Sequence, residues 1–547
     1  MKIKFTTIAF AISVAYASPL FAAGPVITST GNNNSAFIEQ DNAQNQAASI
    51  TQTGNNNVAG TVGASSSDPH SGGILQKGSA NVTASIEQNN DGNNANIVQE
   101  NATNSNASVK QTSNSANGNS ANVYQQGTNL AASVTQSGSA NTANVAQTGG
   151  SQSALVNTIN SNHSSAIVIQ QIGGSSAASG NGAIIDQNGV NRQEATTVQI
   201  GSGQTAATFQ NAGAHDGGAL VLQVGANLHA TVAQTNTGFS HTTISQAGTA
   251  NNAFVLQGGF ADFSTAVVSQ TGQSGQVIVS QSGASYFSGG SLSMGGYAAT
   301  VYQGGTQNIA SVTQTAGYGS FAVVAQTDGS QWEKAFIVQT GDLQSATIYQ
   351  GGLNDSAGII QAGGHNTATV LQHGSQSNNA GIDQNGSSNY ALIDQGPSFI
   401  GYGQIVQNGE FNSASIAQAG YGVNRSAAVA QVGNGNVATV LQLDGYSPKA
   451  KIAQTGNNNS AVAVQSGPSS GIAVLAAGND STIVQYGDWN SAITQQDGYQ
   501  NVASITQTGI GASASTGNTA WIQQNGNKFV ASITQAGTSN HAGIRQH

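Results

Sequence analysis

A glutamine returns about every 11 to 13 residues along most of this chain, and that spacing leaves few folds open. One run reads Gln303, Gln314, Gln326, Gln339, Gln350, Gln361 and Gln372 and keeps the same pitch as far as Gln465. About 40 such positions occur in 547 residues, so the chain is an array of one unit and not a domain with a motif. The unit is clearest over 132–147, where Gln136, Gly138, Asn141, Ala143, Val145 and Gln147 fit Q-x-G-x-x-N-x-A-x-V-x-Q. It is present by Ala48 (ASITQTGNNNVA) and again at Val530 (VASITQAGTSNHAGIRQ).

The first half of each unit, A-x-[IV]-x-Q, alternates with period two and predicts a strand. Ala132, Val134 and Gln136 share one face, and Ser133 and Thr135 share the other. The second half, SGSAN or TGNNN, carries the Gly, Asn and Ser of a turn. A strand of about five residues and a turn of about five or six leave no room for a helix. Two strand-turn units give a rung of about 22–24 residues, a common solenoid scale. The reading is therefore all-β: a β-solenoid of stacked rungs with cross-β spacing. About 20 rungs at about 4.8 Å make a rod roughly 95 Å long.

Charges indicate which face is inside. Glu39, Glu87, Lys110, Asp186, Asp383, Asp394 and Arg545 each directly precede a repeat Gln, and Lys451 stands three before Gln454. All fall opposite the Ala/Val/Gln set, and burying an unpaired charge is costly, so the Ala/Val/Gln face is interior. A buried amide needs partners. Stacking supplies them, because each Gln can donate to and accept from its equivalents above and below. A one-residue slip would bury the charged face, so the Gln also fixes register. Only 6% of residues are charged, against about 25% in a globular domain, and Gly numbers 71. A thin core of Ala, Val, Ile, Gln and Asn is what such a composition can build.

This unit resembles the curlin repeat, the building block of the bacterial functional amyloid curli. Gln136, Asn141 and Gln147 stand at the family's ladder positions, as do Gln303, Asn308 and Gln314. Gln350, Gln361, Gln372, Gln535 and Gln546 continue the pattern. The resemblance implies a structural subunit, not an enzyme, secreted by a Gram-negative-type bacterium. It implies self-assembly into extracellular fibres of a biofilm matrix, supporting adhesion and aggregation. The partners it implies are copies of the chain, a nucleator subunit and a curli-type outer-membrane secretion channel. Two departures stand out. The array is much longer than the family's usual handful of repeats, and Val26 to Gln40 is already a repeat where a separate secretion segment is expected.

Residues 1–23 read as a secretory signal peptide, with Lys2 and Lys4 ahead of a short apolar stretch. Residues 24–547 then form one repeat region. Gly/Ser-rich insertions near 60–73, 172–182, 284–297 and 508–519 are expected to loop out between units. Near Leu475 the expected Gln is missing, which predicts a weaker rung. The last half unit carries no polar cap, so each end is expected to offer an open edge to another copy. The absence of Cys suits an oxidising route. A net charge of −10, or −12 without Lys2 and Lys4, disfavours nucleic acid and anionic lipid. No later apolar run is long enough to insert in a membrane.

No catalytic, cofactor or metal pattern emerges. The nine histidines lack ligand spacing, and Asp and Glu are expected never to pair at interior positions. Tyr124, Tyr302 and Tyr349 precede a Gln and point outward. Outward Ser-x-Thr pairs such as Ser133/Thr135 and Ser504/Thr506 leave an ice-binding surface as an alternative, beside a monomeric secreted adhesin.

Overall fold

The computed structural model describes residues 24–42, 44–60, 73–172, 180–211, 213–259, 261–283, 296–467 and 478–547. The leader predicted at 1–23 lies outside them, as do the cores of three predicted insertions (61–72, 173–179 and 284–295) and Leu475.

Each A-x-[IV]-x-Q segment is a strand, and no helix occurs among the described residues. Alternate strands build two sheets. The first holds 21 strands, from Val26–Thr30 to Val530–Ala536. The second runs beside it from Ser35–Ala36 to His541–Gln546. Every strand pairs in parallel with the strand one rung away, as at Ser345–Leu353, where Ala346 aligns with Ala368 and Gln350 with Gln372. Successive partners such as Gln326, Gln350 and Gln372 lie 24 and 22 residues apart, within the predicted rung size. The result is a β-solenoid about 100 Å long if each rung rises about 4.8 Å.

The predicted inner face is the buried one. Ala346, Ile348 and Gln350 are each fully buried, whereas Tyr349, between Ile348 and Gln350, is 39% exposed. Small Ala at one end and Gln at the other keep the core thin in most half-rungs, with an Ile or Val filling the middle of most and Thr197, Thr208, Ala463 or Thr494 in others. Many turns are tightened by a glycine with positive φ whose Cβ would clash with the next rung. Gly341 has φ +113°, and a Cβ there would sit 2.0 Å from the carbonyl oxygen of Gly363 on the next rung.

Residues 509–518 lie between two half-rungs, folded around the Thr516 hydroxyl, which accepts the N–H groups of Ala512 and Ser513. The 60–73 insertion departs from expectation. It leaves from inside a half-rung: Val58–Ala59 and Gly73–Lys77 together make one strand, with Val58 opposite Asn94 and Gly73 opposite Asn96. The break falls where the side chain faces outward, so the inner set Ala59, Ile74 and Gln76 stays intact. The gap near Leu475 costs no rung. Lys449–Thr455 pairs directly with Asp480–Tyr486, so the missing Gln marks a longer connection.

Candidate functional site: the polar ladders and the open rungs

The second sheet carries an unbroken chain of amides from Gln40 to Gln546, each Nε2 donating to the Oε1 of the next rung at 2.7–3.0 Å. Gln147, Gln303, Gln350, Gln372 and Gln546 belong to it. Gln314, Gln361 and Gln535 belong to the first-sheet ladder, where Gln339 donates to Gln361 at 2.9 Å and Gln507 to Gln535 at 2.8 Å.

Gln136 is the exception among the predicted ladder residues. It accepts from Gln111 at 2.8 Å, but the next rung presents Thr158 in its place. The shorter hydroxyl cannot reach, so Gln136 Nε2, Thr158 Oγ1 and Gln187 Oε1 are all buried without partners. At the start of the same sheet the position is Ser29, whose hydroxyl donates to Gln52 at 3.4 Å.

Sequence reasoning missed the second task of most ladder glutamines. Their other N–H crosses to the facing sheet and donates to the carbonyl of a strand's first residue. Gln350 reaches Lys334 at 3.0 Å, Gln361 reaches Ser345 at 3.0 Å and Gln372 reaches Ser356 at 3.2 Å. The signal was available: a Gln amide has two N–H donors and a ladder uses one. The amide therefore joins rung to rung and sheet to sheet.

A second polar ladder stands at the turn before many of the strands. Asn141 donates its backbone N–H and its amide to Asn119 Oδ1, both at 3.1 Å, and its amide also to Ser161 O at 2.7 Å. On the second sheet this Asn series runs from Asn366 through Asn389, Asn412, Asn436, Asn459, Asn490 and Asn518 to Asn540. On the first sheet it is mixed. Asn308 donates to Gly304 O and Ser330 Oγ and accepts the N–H of Glu333.

The first-sheet turns correct the expectation that acids never pair inside. Glu333 and Asp355 take the Asn position on consecutive rungs and are 0% and 1% exposed. Burial, with Asp355 adding repulsion, pushes the Glu333 carboxyl up to about 8. Neither Glu333 oxygen meets a donor at bonding geometry, and the nearby N–H groups of Asp355 and Gly352 offset the rise only in part. Burial also raises Asp355, although it accepts from Ser375 Oγ at 2.5 Å and from Asn378 N–H at 2.8 Å. The pair escaped sequence reasoning because it lies one residue before each strand, outside the A-x-[IV]-x-Q alternation. Arg425 fills the same position further on, buried, and donates to Gly420 O at 2.7 Å. Burial lowers its pKa, and Asp444 nearby works in the opposite sense.

The outward residues lie as predicted. Glu87 and Lys110 pair across neighbouring rungs at 3.1 Å, and Tyr302 is 51% exposed. His163 and His365 sit at turns, but His229, His241 and His541 open strands and His373 lies within one. No three His, Asp or Glu among the described residues are grouped to hold a metal. None of the helix type long and apolar enough to cross a membrane is found among them either. The hydroxyl ladder is short: Ser504 and Thr506 stack on Ser532 and Thr534, but the preceding rung carries Thr482 and Val484.

At the two ends the ladders stop with groups unused. Gln546 Nε2 donates only to Val530 O, at 3.3 Å, and Ala542 and Ile544 are only partly buried. At the other end Val26 and Ile27 are 53% and 49% exposed. With this geometry in place, comparison with known proteins gives one match: residues 116–149 fit the family description "Curlin associated repeat". No curated protein matches the chain.

Proposed function

We propose that this chain, which matches the curlin associated repeat over residues 116–149 and folds as a parallel β-solenoid, is a curli-like structural protein that self-assembles into extracellular amyloid fibres. Copies join rung to rung at their ends, so that one rod continues into the next. The fibre serves a biofilm matrix at the cell surface, in adhesion and aggregation, after export with removal of residues 1–23. A nucleator subunit and an outer-membrane channel are the partners such a subunit would use.

The observation that carries this reading is the state of the terminal rungs. On the second sheet their inner faces hold the same Ala, Ile and Gln that are sealed elsewhere. On the first sheet they hold Ile27 and Ser29 at one end and Ala531, Ile533 and Gln535 at the other, and their outer backbone edge is unpaired in the described residues. An open edge of this kind is a template for strand addition.

Electron microscopy and thioflavin fluorescence on purified protein, with and without preformed seeds, test the reading. Fibres whose growth is accelerated by seeds are expected. Stable single rods of about 100 Å that never grow at high concentration would remove it. Replacing Gln535 and Gln546 with Ala should slow elongation more than replacing Gln361 and Gln372. Equal lag times and growth rates for the two variants would count against templating at the ends.

A further inference from the structure

The last second-sheet strand, His541–Gln546, reads HAGIRQ, and the first half-rung of that sheet reads SAFIEQ from Ser35 to Gln40. Laid in the register that every rung here uses, Ala542 meets Ala36, Ile544 meets Ile38 and Gln546 meets Gln40. Arg545 then meets Glu39. These are the pre-Gln outward positions, where Glu87 and Lys110 on neighbouring rungs are aligned and pair at 3.1 Å. We infer that the contact between successive copies in the fibre is a head-to-tail, in-register stack of the last rung on the first, locked by an ion pair between Arg545 of one copy and Glu39 of the next. This inference rests on the fibre reading above and adds the register and polarity of its junction.

Three further observations agree. Arg545 spends only Nε within its own chain, on Gln523 Oε1 at 2.8 Å, and lies 6.0 Å from the Trp521 ring, which leaves its terminal nitrogens available. The polar ladders are also directional. In the Gln ladder each rung offers its amide N–H to the following one, so Gln546 leaves an N–H to give and Gln40 leaves Oε1 to receive. The Asn ladder runs the opposite way: Asn540 donates its N–H to Asn518 Oδ1 at 3.1 Å, so its own Oδ1 stands where Asn34 N–H of the next copy arrives. Finally, the chain order fits. The first-sheet strand Val530–Ala536 receives Val26–Thr30, with Ile533 on Ile27 and Gln535 on Ser29, so the solenoid continues without a skipped half-rung. With the sheets exchanged, Gln546 would meet Ser29 and Arg545 would meet Thr28, and both the amide bond and the ion pair would be lost.

The test is a charge swap read by seeded elongation of the full chain. Arg545→Glu and Glu39→Arg alone each place like charges at every junction and should slow growth about fivefold or more. The double variant restores opposite charges and should regain most of the wild-type rate. An equimolar mixture of the two single variants should also grow fast, since their ends complement each other, and should show both chains in one fibre. Exchanging Glu87 and Lys110 controls for charge changes away from the ends and should leave the rate unchanged. Circular dichroism checks that each variant keeps its β-structure; a single variant that misfolds is replaced by Glu39→Gln or Arg545→Gln, which should slow growth more modestly. Wild-type fibres together with single variants that grow normally, or a double variant and mixture as slow as the single variants, would overturn the junction. Absence of fibres from the wild-type protein would instead overturn the function on which it rests.

Discussion

A glutamine amide offers one oxygen and two N–H groups, and in this wall all three are used: accepted from one rung, donated to the next, and donated across to the facing sheet. Each unmade bond in such a place costs roughly 1–3 kcal/mol, which is why the side chain recurs with so little variation within the chain. Glu333 shows the opposite case. Its carboxyl ordinarily titrates near 4.5 and in the rod near 8, so the folded chain keeps the proton over a range where the unfolded chain loses it. Stability from the neutral form is complete below pH 4.5, falls as pH rises towards 8, and is gone above it. Asp355 shifts in the same direction through burial. Glu333→Gln keeps the shape and removes the titration. In urea unfolding followed from pH 4 to pH 9, the variant is expected to match the parent in acid and to be more stable, by a few kcal/mol or roughly that order, at pH 8. Identical pH profiles would mean that Glu333 is ionised or solvated in the rod. This site was not legible beforehand. The repeat pattern locates the inner face of strands, whereas Glu333 becomes interior only because the turn folds its backbone inward beside Asn308.

At the scale of the strand, register decides whether a ladder exists. Gln136, Thr158 and Gln187 align directly, so the single Thr interrupts a first-sheet ladder that is otherwise Gln from Gln52 to Gln535. Thr158→Gln should close the break. Hydrogen exchange of the amides in Ala131–Ser139 and Gly182–Asn188 should then slow by about one to two orders of magnitude, matching about 1–3 kcal/mol of recovered bonding. Unchanged or faster exchange would show that the neighbouring turn, not the missing amide, sets the local geometry. The strand also explains where insertions are tolerated. The 60–73 segment opens at an outward position, so the backbone can leave and return while Ala59 and Ile74 keep their places inside.

At the scale of the whole molecule, each rung contacts chiefly its two neighbours, and the ladders give the rod a direction. All second-sheet Gln bonds run from Nε2 to the Oε1 of the following rung and the Asn bonds run back to the Oδ1 of the preceding one, so the two ends present different groups. The two ends also differ in charge, with Glu39 and Asp41 at one and Arg545 at the other. Unequal ends should elongate at unequal rates. Time-lapse atomic force microscopy on single seeds is expected to show one end growing severalfold faster, and symmetric growth would rule out a polar stack.

The sequence by itself determined the unit, its pitch, the inner face and the register, because a period-two strand with Ala, Ile or Val and Gln on one side and charges on the other has only one way to be buried. It also pointed to the curlin repeat. The tertiary structure decided what depends on neighbours far along the chain. Parallel pairing of residues 22 or more apart gave Gln136 a Thr for a partner, set Glu333 against Asp355 and turned the spare N–H of most ladder glutamines across to the other sheet. Those outcomes follow from which rung stacks on which, and stacking brings together side chains that no local pattern relates.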